Sequence, residues 1–283
     1  MESQGQTISR GVVKIGGAKG NKYDDLIGEM AERLRRGERW VLVHGASSFM
    51  EDLSKELNIE PKYVTSPSGF KSRFVSKSDL TLFRSACCLF SVSLVNLFGK
   101  FGINAVPLYP PDSISAIATR KDFLRVLEGG KVRLMRGNYS GYITSFVNEE
   151  IYSLWEAGAI PILPPLAVAD DGEFLNVDGD RMAAAAAASL KADVLVILSN
   201  VPGLLKVPND ASTAIRRASL KDMPVLENYA LGNMKRKLLA VKEALEGGVG
   251  SVIIGDSRQE RPLNTALDGK GTVLCRDFME AAV

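Results

Sequence analysis

Lys14 stands where a lysine is costly. It interrupts the apolar run Val12-Val13-Lys14-Ile15, which reads as a buried strand. An ammonium group removed from water without a partner is strongly disfavoured, so a carboxylate or a bound phosphate must meet it. The residues that follow, Gly16-Gly17-Ala18-Lys19-Gly20, are small. They let backbone N–H groups approach phosphate oxygens where the chain opens into a helix. The competing reading is an edge strand with its lysine in water and a plain glycine turn. His44-Gly45-Ala46-Ser47 repeats the strand–glycine–helix pattern. It reads as a second anion site lined by N–H groups, or as an ordinary turn with His44 packed at a strand end.

Two further segments carry charge at helix starts. Asn176-Val177-Asp178-Gly179-Asp180 leads into a helix with six consecutive alanines, 183–188. Asp178 suits the cap, where the helix dipole favours negative charge, and Asp180 is the candidate counter-charge for Lys14. Gly232-Asn233-Met234-Lys235-Arg236-Lys237 puts three cations at a helix N-terminus. They oppose the dipole there unless an anionic ligand joins them; the plain alternative is a solvated basic face. The Walker A pattern, G-x-G-x-x-G and the protein-kinase signatures are absent.

The elements that must position these residues alternate strand and helix, the pattern of a largely parallel sheet covered on its faces. Apolar runs predict strands at 12–15, 40–44, 62–65, 105–108, 160–163, 194–198, 251–254 and 272–274. Helical spacing marks 23–34, 49–57 capped by Ser47 or Ser48, and a long helix over 80–101 capped by Ser76 or Ser78. It also marks 151–155, 181–190 and 234–245. Short strands and hairpins are expected over 115–146, and a lobe boundary near 165–175.

Composition narrows the class. Thirty-five Lys and Arg against 33 Asp and Glu give a net charge of +2, which offers no bulk case for nucleic-acid binding. No apolar run reaches the ~18 residues of a membrane span. The polar residues 1–10 read as a short disordered lead-in rather than a signal peptide. Three cysteines, Cys87, Cys88 and Cys275, form no C-x-x-C pair, which points to a reduced, cytoplasmic setting. The single histidine, His44, excludes multi-histidine metal sites.

Val13-Lys14-Ile15-Gly16-Gly17, Val43-His44-Gly45, Asn176 to Asp180 and Gly232 to Lys237 occur in a fixed order. Together they resemble the amino acid kinase family, within it the acetylglutamate kinase branch, over 11–272. Phe70-Lys71-Ser72-Arg73-Phe74, Leu198-Ser199-Asn200-Val201-Pro202-Gly203 and Met234-Lys235-Arg236-Lys237 are similar to kinases acting on an amino-group carrier protein. The resemblance implies an α/β fold, an open αβα sandwich around a mainly parallel central sheet. An acceptor-binding lobe would span 11–170 and an ATP-binding lobe 171–283. It implies ATP, Mg2+ carried by ATP with no metal ligands from the protein, an acidic carrier protein bearing the acceptor, and a homodimer. Lys14 and Lys237 would stabilise the transition state and Asp180 would hold both. Gly45, Ala46, Arg73 and Asn176 would bind the acceptor. Gly16, Gly17, Ser199, Asn200, Gly203, Lys206 and Met234 would line the nucleotide site.

The implied reaction makes an acyl phosphate on the side-chain carboxylate of carrier-linked 2-aminoadipate or glutamate, for lysine biosynthesis and, in many archaeal members, arginine biosynthesis. Two alternatives stand beside it: phosphorylation of free N-acetylglutamate, and a nucleotide-binding regulatory paralogue with impaired catalysis. A carboxylate is ionised at neutral pH and needs no general base. The difficulty is bringing an anion to a polyanion, which cations and N–H groups relieve. The planar fork of Arg73 suits a carboxylate, and Lys71, Arg73, Lys77, Lys235 and Arg236 could form a basic rim for an acidic tail. The acceptor half departs from the family at Ala46, at Phe90-Ser91-Val92-Ser93 and at Pro107 to Ser113.

Overall fold

The computed structural model describes residues 8–17, 20–67, 69 and 71–277. The chain opens with β1 (Arg10–Ile15), α1 (Tyr23–Arg35), β2 (Arg39–His44), α2 (Ser47–Glu56), the hairpin β3 (Tyr63–Thr65) and β4 (Lys71–Arg73), and α3 (Lys77–Lys100). Strand β5 (Ala105–Pro107) precedes β6 (Ala116–Arg120), β7 (Phe123–Glu128), β8 (Lys131–Arg136) and β9 (Gly141–Phe146). Then come α4 (Glu149–Glu156), β10 (Ile160–Leu163), β11 (Leu166–Val168), β12 (Phe174–Asn176), α5 (Gly179–Ser189) and β13 (Val194–Ser199). The last elements are β14 (Arg217–Ser219), α6 (Met223–Tyr229), α7 (Asn233–Glu246), β15 (Ser251–Asp256), α8 (Pro262–Thr265) and β16 (Thr272–Cys275).

Eight strands form one central sheet in the order β14-β16-β15-β13-β1-β2-β10-β5. Neighbouring strands pair in parallel except β15 and β16. Strand β1 lies between β2 and β13, so the winding reverses there. In open α/β sheets, ligands bind outside the carboxyl ends of the strands at such a switch point. Smaller sheets flank this one: β12-β11-β6-β9, and the ribbons β3-β4 and β7-β8.

Strand alternation sorts the core into two layers. Val12, with Val41 and Val43 of β2, packs on the alanines of α5 and on Leu238 and Val241 of α7. Val13 and Ile15 pack on the opposite face, against Leu26, Ile27 and Met30 of α1 and Phe90, Leu94 and Phe98 of α3. The result is the expected αβα sandwich. Lys14 shares the face of Val12, and His44 shares that of Leu42.

Local capping differs from the sequence reading in one helix. Neither Ser47 nor Ser48 caps α2. Both lie inside it, and Ala46 occupies the cap position without a side-chain bond. The Ser48 N–H instead donates to the Gly17 carbonyl at 3.2 Å, so a neighbouring loop satisfies it. In α3, Ser76 and Asp79 form a full capping box. By length and composition α3 is also apolar enough to cross a membrane; here its buried side face packs on α1, α2 and β5. Arg10, counted in the lead-in, is the first residue of β1, and the N–H groups of Ser9 and Arg10 donate to Asp193 Oδ2. Residues 1–7 of that lead-in lie outside the described residues.

Candidate active site

Lys14, Asp180 and Lys237 meet at the carboxyl end of β1. The Lys14 ammonium lies 2.7 Å from Asp180 Oδ1, and Lys237 donates to Asp180 Oδ2 at 3.0 Å. All three are more than nine-tenths buried. Three elements make this possible. Strand register carries Lys14 out toward α5, and Gly179 lets that helix come close: a Cβ there would stand 3.4 Å from Lys14 Cε. Asp178 caps α5, its Oδ1 accepting from the N–H groups of Asp180 and Arg181, so Asp180 sits in the first turn where the dipole favours it. The small residues of α5 let α7 pack closely, and Arg181 clamps the two helices by pairing with Glu243 at 2.6 Å. That packing delivers Lys237.

The electrostatics are unbalanced. Burial alone would raise the Asp180 carboxyl, but the ammonium groups of Lys14 and Lys237 hold it well below the ordinary carboxylate range. Lys237 is pushed down, first by burial and then by Lys14, with Asp180 and, more weakly, Asp178 opposing both. Two buried ammonium groups share one carboxylate. A surplus positive charge is therefore buried where an anion can neutralise it, the demand a transferring phosphoryl group meets.

The glycine loops after β1 and β2 cross beside this cluster. Gly45 N–H donates to the Ile15 carbonyl at 2.9 Å. A Cβ on Gly17 would lie 2.8 Å from both Gly45 O and Ser47 N. We predict that Gly17→Ala separates the loops and lowers thermal stability. An unchanged melting curve would contradict this packing. Ala18 and Lys19 of the first loop lie outside the described residues.

Residues 199–206 leave β13 beside the Gly16 loop, since Leu198 pairs with Ile15. The Ser199 carbonyl accepts from Ser257 N and Oγ at 2.7 and 2.8 Å. Gly203 has φ +137°, and a Cβ there would sit 2.6 Å from Thr272 Oγ1. Buried Thr272 holds this loop, accepting from Leu204 N–H at 2.8 Å. Asn200 and Lys206 are exposed, and Met234 is half-buried in the first turn of α7.

On the acceptor side Arg73 already has a partner within the fold. Its guanidinium is taken up by Asp79, at 2.7 Å from Nη2, and touches Ser54 Oγ at 3.3 Å. It lines a pocket of about 230 Å3 with Glu51, Ser54, Lys55, Ile59, Pro61 and Tyr63, and Asp79 holds one edge of its fork. Asn176 ends β12, and its side-chain amide forms no hydrogen bond among the described residues. Ala46 is buried in an apolar cluster with Met50, Leu80 and Phe83, which accommodates the methyl group that replaces a family glycine.

Two of the departures prove to be linked. His44 Nε2 lies 2.7 Å from Ser91 Oγ, and Ser91 Oγ lies 3.3 Å from Tyr109 OH. His44 is fully buried and stacks edge-on against Phe90. Burial, aided by Lys14 and opposed by the Gly45 carbonyl, lowers its pKa from 6.5 to about 4. Sequence reasoning flagged Ser91 and Tyr109 as absences of family residues and had no local signal that they pair with His44.

The depressed His44 pKa makes a pH prediction. The unfolded chain binds this proton first, so the stabilising contribution is present above pH 6.5 and is lost as pH falls toward 4. His44→Gln should flatten the fall of stability between pH 7 and 5 by up to ~1.4 kcal/mol per pH unit. Urea midpoints at pH 7, 6 and 5 check this; parallel curves for the two proteins would refute it.

The model of the amino acid kinase family matches residues 9–256. The chain belongs to the amino acid kinase family. Among curated relatives, a LysW-aminoadipate kinase of Deinococcus radiodurans is 40% identical over 93% of this chain and 90% of its own length. A LysW-aminoadipate/LysW-glutamate kinase of Saccharolobus islandicus is 35% identical over 93% and 98%. Among solved structures, a Streptococcus mutans protein superposes with a TM-score of 0.74 at 23% identity, covering 95% of this chain and 99% of its own. That likeness supports the fold, and the sandwich described above is the amino acid kinase fold.

Proposed function

We propose that this amino acid kinase transfers the γ-phosphoryl group of ATP to the side-chain carboxylate of an amino acid, 2-aminoadipate or glutamate, linked to a carrier protein. The observation that carries the reading is the buried surplus charge at Lys14, Asp180 and Lys237. The relatives named as LysW-aminoadipate kinases supply the acceptor class and point to lysine biosynthesis; a glutamate acceptor would extend it to arginine biosynthesis. The enzyme works in the cytoplasm as a homodimer, for which α3 exposes Leu89 and Val92.

ATP enters on the 171–283 side, beside Ser199, Asn200, Gly203, Lys206 and Met234, with its phosphates toward Gly16 and Gly17. The acceptor enters on the 11–170 side, near Gly45, Ala46 and Asn176. Mg2+ arrives with ATP as part of the substrate. The acceptor carboxylate attacks phosphorus in line, forming the acyl–phosphate bond as the bond to the ADP oxygen breaks. Lys14 and Lys237 neutralise the charge that builds on the phosphoryl oxygens, and Asp180 fixes both ammonium groups. No proton moves, so His44 has no catalytic task. Arg73, already paired with Asp79, shapes the acceptor wall.

Trapping the product with hydroxylamine tests the proposal. Carrier-linked aminoadipate, carrier-linked glutamate and free N-acetylglutamate are each incubated with enzyme and ATP. Hydroxamate from a carrier-linked substrate is expected. Hydroxamate from the free substrate alone would transfer the assignment to N-acetylglutamate, and none from any would mark a non-catalytic nucleotide-binding paralogue.

A further inference from the structure

Five cations and two carboxylates fall within 121–136, in a chain whose total is balanced to +2. This segment is the β7–β8 ribbon and its base. Strand alternation gives the ribbon two faces. Leu124, Val126 and Met135 turn inward onto Val64 and Phe74, beside the β3–β4 hairpin. On the other face Phe123 pairs with Arg136, Arg125 with Leu134, and Leu127 with Val132. All six are exposed, Leu134 to 61% and Phe123 to 53%. That face holds four apolar side chains, two guanidinium groups and no carboxylate. Neither Arg125 nor Arg136 forms an ion pair among the described residues. Glu128 is paired with Arg133, from the inward register, at 3.3 Å.

The base of the ribbon leads to the active site. Lys121 N–H donates to the Ser140 carbonyl at 2.9 Å, and Asn138 Nδ2 donates to the Lys121 carbonyl at 3.3 Å. Ser140 bridges in turn to Asn176, two residues before the Asp178 cap of α5. The Lys121 ammonium lies in the field of Arg181, Arg236 and Asp178, and desolvation together with those guanidinium groups lowers its pKa. Neither Lys121 nor Arg236 forms an ion pair among the described residues. The rim expected from sequence is less available: Arg73 is held by Asp79, Lys77 reaches Glu173 at 3.3 Å, and Lys71 lies over the Tyr63 ring at 5.0 Å.

We propose that the outward face of the β7–β8 ribbon is the docking surface for the acidic carrier polypeptide. Lys121 and Arg236 then guide its acidic C-terminal segment toward Lys14, Asp180 and Lys237. The inference rests on the carrier-linked reading of the active site. Charge complementarity selects the occupant: an exposed apolar patch set with unpaired arginines and free of carboxylates fits an acidic protein surface. A second copy of the chain would bring two like-charged faces together. A nucleic acid would find one aromatic ring, Phe123, on which to stack a base.

Two ribbon variants, Arg125→Glu/Arg136→Glu and Leu127→Ser/Leu134→Ser, test the surface without touching the phosphoryl-transfer residues. Titration calorimetry reads binding of the full-length carrier charged with 2-aminoadipate, and steady-state kinetics reads KM and kcat. Each variant should weaken carrier binding and raise its KM about tenfold or more. The kcat, the KM for ATP and the melting temperature should stay near those of the wild type. A short peptide of the carrier's last five residues bearing the same aminoadipate lacks the carrier body that would sit on the ribbon, and wild type and variants should use it equally. Unchanged carrier binding in both variants, an equal loss with the short peptide, or a wild type that binds no carrier would overturn the proposal. Ribbon-dependent binding of a 20-nucleotide RNA in place of the carrier would overturn it too. The functional reading fails separately, when wild-type enzyme yields no acyl phosphate from any carrier-linked substrate.

Discussion

Lys14→Met and Lys237→Met should each lower kcat a hundredfold to a thousandfold while changing ATP affinity only a few-fold. Removing one preorganised donor to developing charge costs about 3–4 kcal/mol of transition-state stabilisation. In the proposed site the glycine-loop N–H groups and the Mg2+ carried by ATP would also hold the ground state, so binding should suffer less. The same substitutions should not unfold the protein. Lys14 and Lys237 each meet Asp180, at 2.7 and 3.0 Å, and repel each other: Lys14 helps push the pKa of Lys237 down. Deleting either leaves a balanced one-to-one pair and removes a desolvated charge. The melting temperature of each variant should therefore equal or exceed that of the wild type. Steady-state kinetics, ATP titration and calorimetric melting check the three claims. A variant with near-normal kcat, or one that melts far below the wild type, would contradict the shared-carboxylate arrangement.

Asp180→Asn is expected to do the opposite to stability. It leaves two buried ammonium groups without their shared carboxylate, with only the more distant Asp178 to offset them, and breaking a buried ion pair from one side costs about 3–5 kcal/mol. For a chain of this size that shifts the melting temperature by ~10 °C. Turnover should also collapse, because the lysines lose their common anchor. Adding Lys237→Met to Asp180→Asn removes one of the two stranded charges, so the double variant should regain part of the lost stability and none of the activity. Such a non-additive pair identifies direct coupling. Equal melting temperatures for the single and double variants would place the cost of Asp180→Asn elsewhere.

Acidity separates Asp180 from its neighbours. Its folded pKa lies below the unfolded one, so its contribution is present at neutral pH and disappears only in strong acid. The His44 contribution vanishes earlier, between pH 6.5 and about 4. Wild-type stability should fall in two stages on acidification, and His44→Gln should abolish only the first.

The sandwich was legible because apolar periodicity and strand–helix alternation fixed most of its elements. Lys14 was legible for a physical reason: a cation inside Val12 to Ile15 requires a partner, and strand parity then sends it to one face of the sheet. Asp180 followed from that requirement, and the two meet at 2.7 Å. The state of Arg73 was not legible. Its residue type announces a carboxylate fork, but only the fold brings Asp79 of the α3 capping box to within 2.7 Å of it. The Ser47 or Ser48 cap failed similarly, since the carbonyl that satisfies Ser48 comes from Gly17 in the loop after β1. His44, Ser91 and Tyr109 come together only in the folded chain, from β2, α3 and the loop after β5. Thr272 anchors a loop far from it in the chain, and short sequence windows carry no trace of such contacts.

The catalytic claim is one of differential binding: the lysine pair should grip a phosphoryl group in flight more tightly than it grips ATP. Calorimetric titration with ADP, Mg2+, aluminium fluoride and charged carrier measures that grip directly. The wild type should bind this mimic at least a hundredfold more tightly than ATP, and Lys237→Met should lose most of the excess while keeping its ATP affinity. A Lys237→Met variant that binds the mimic as tightly as the wild type would show that the charge at Asp180 serves some other purpose.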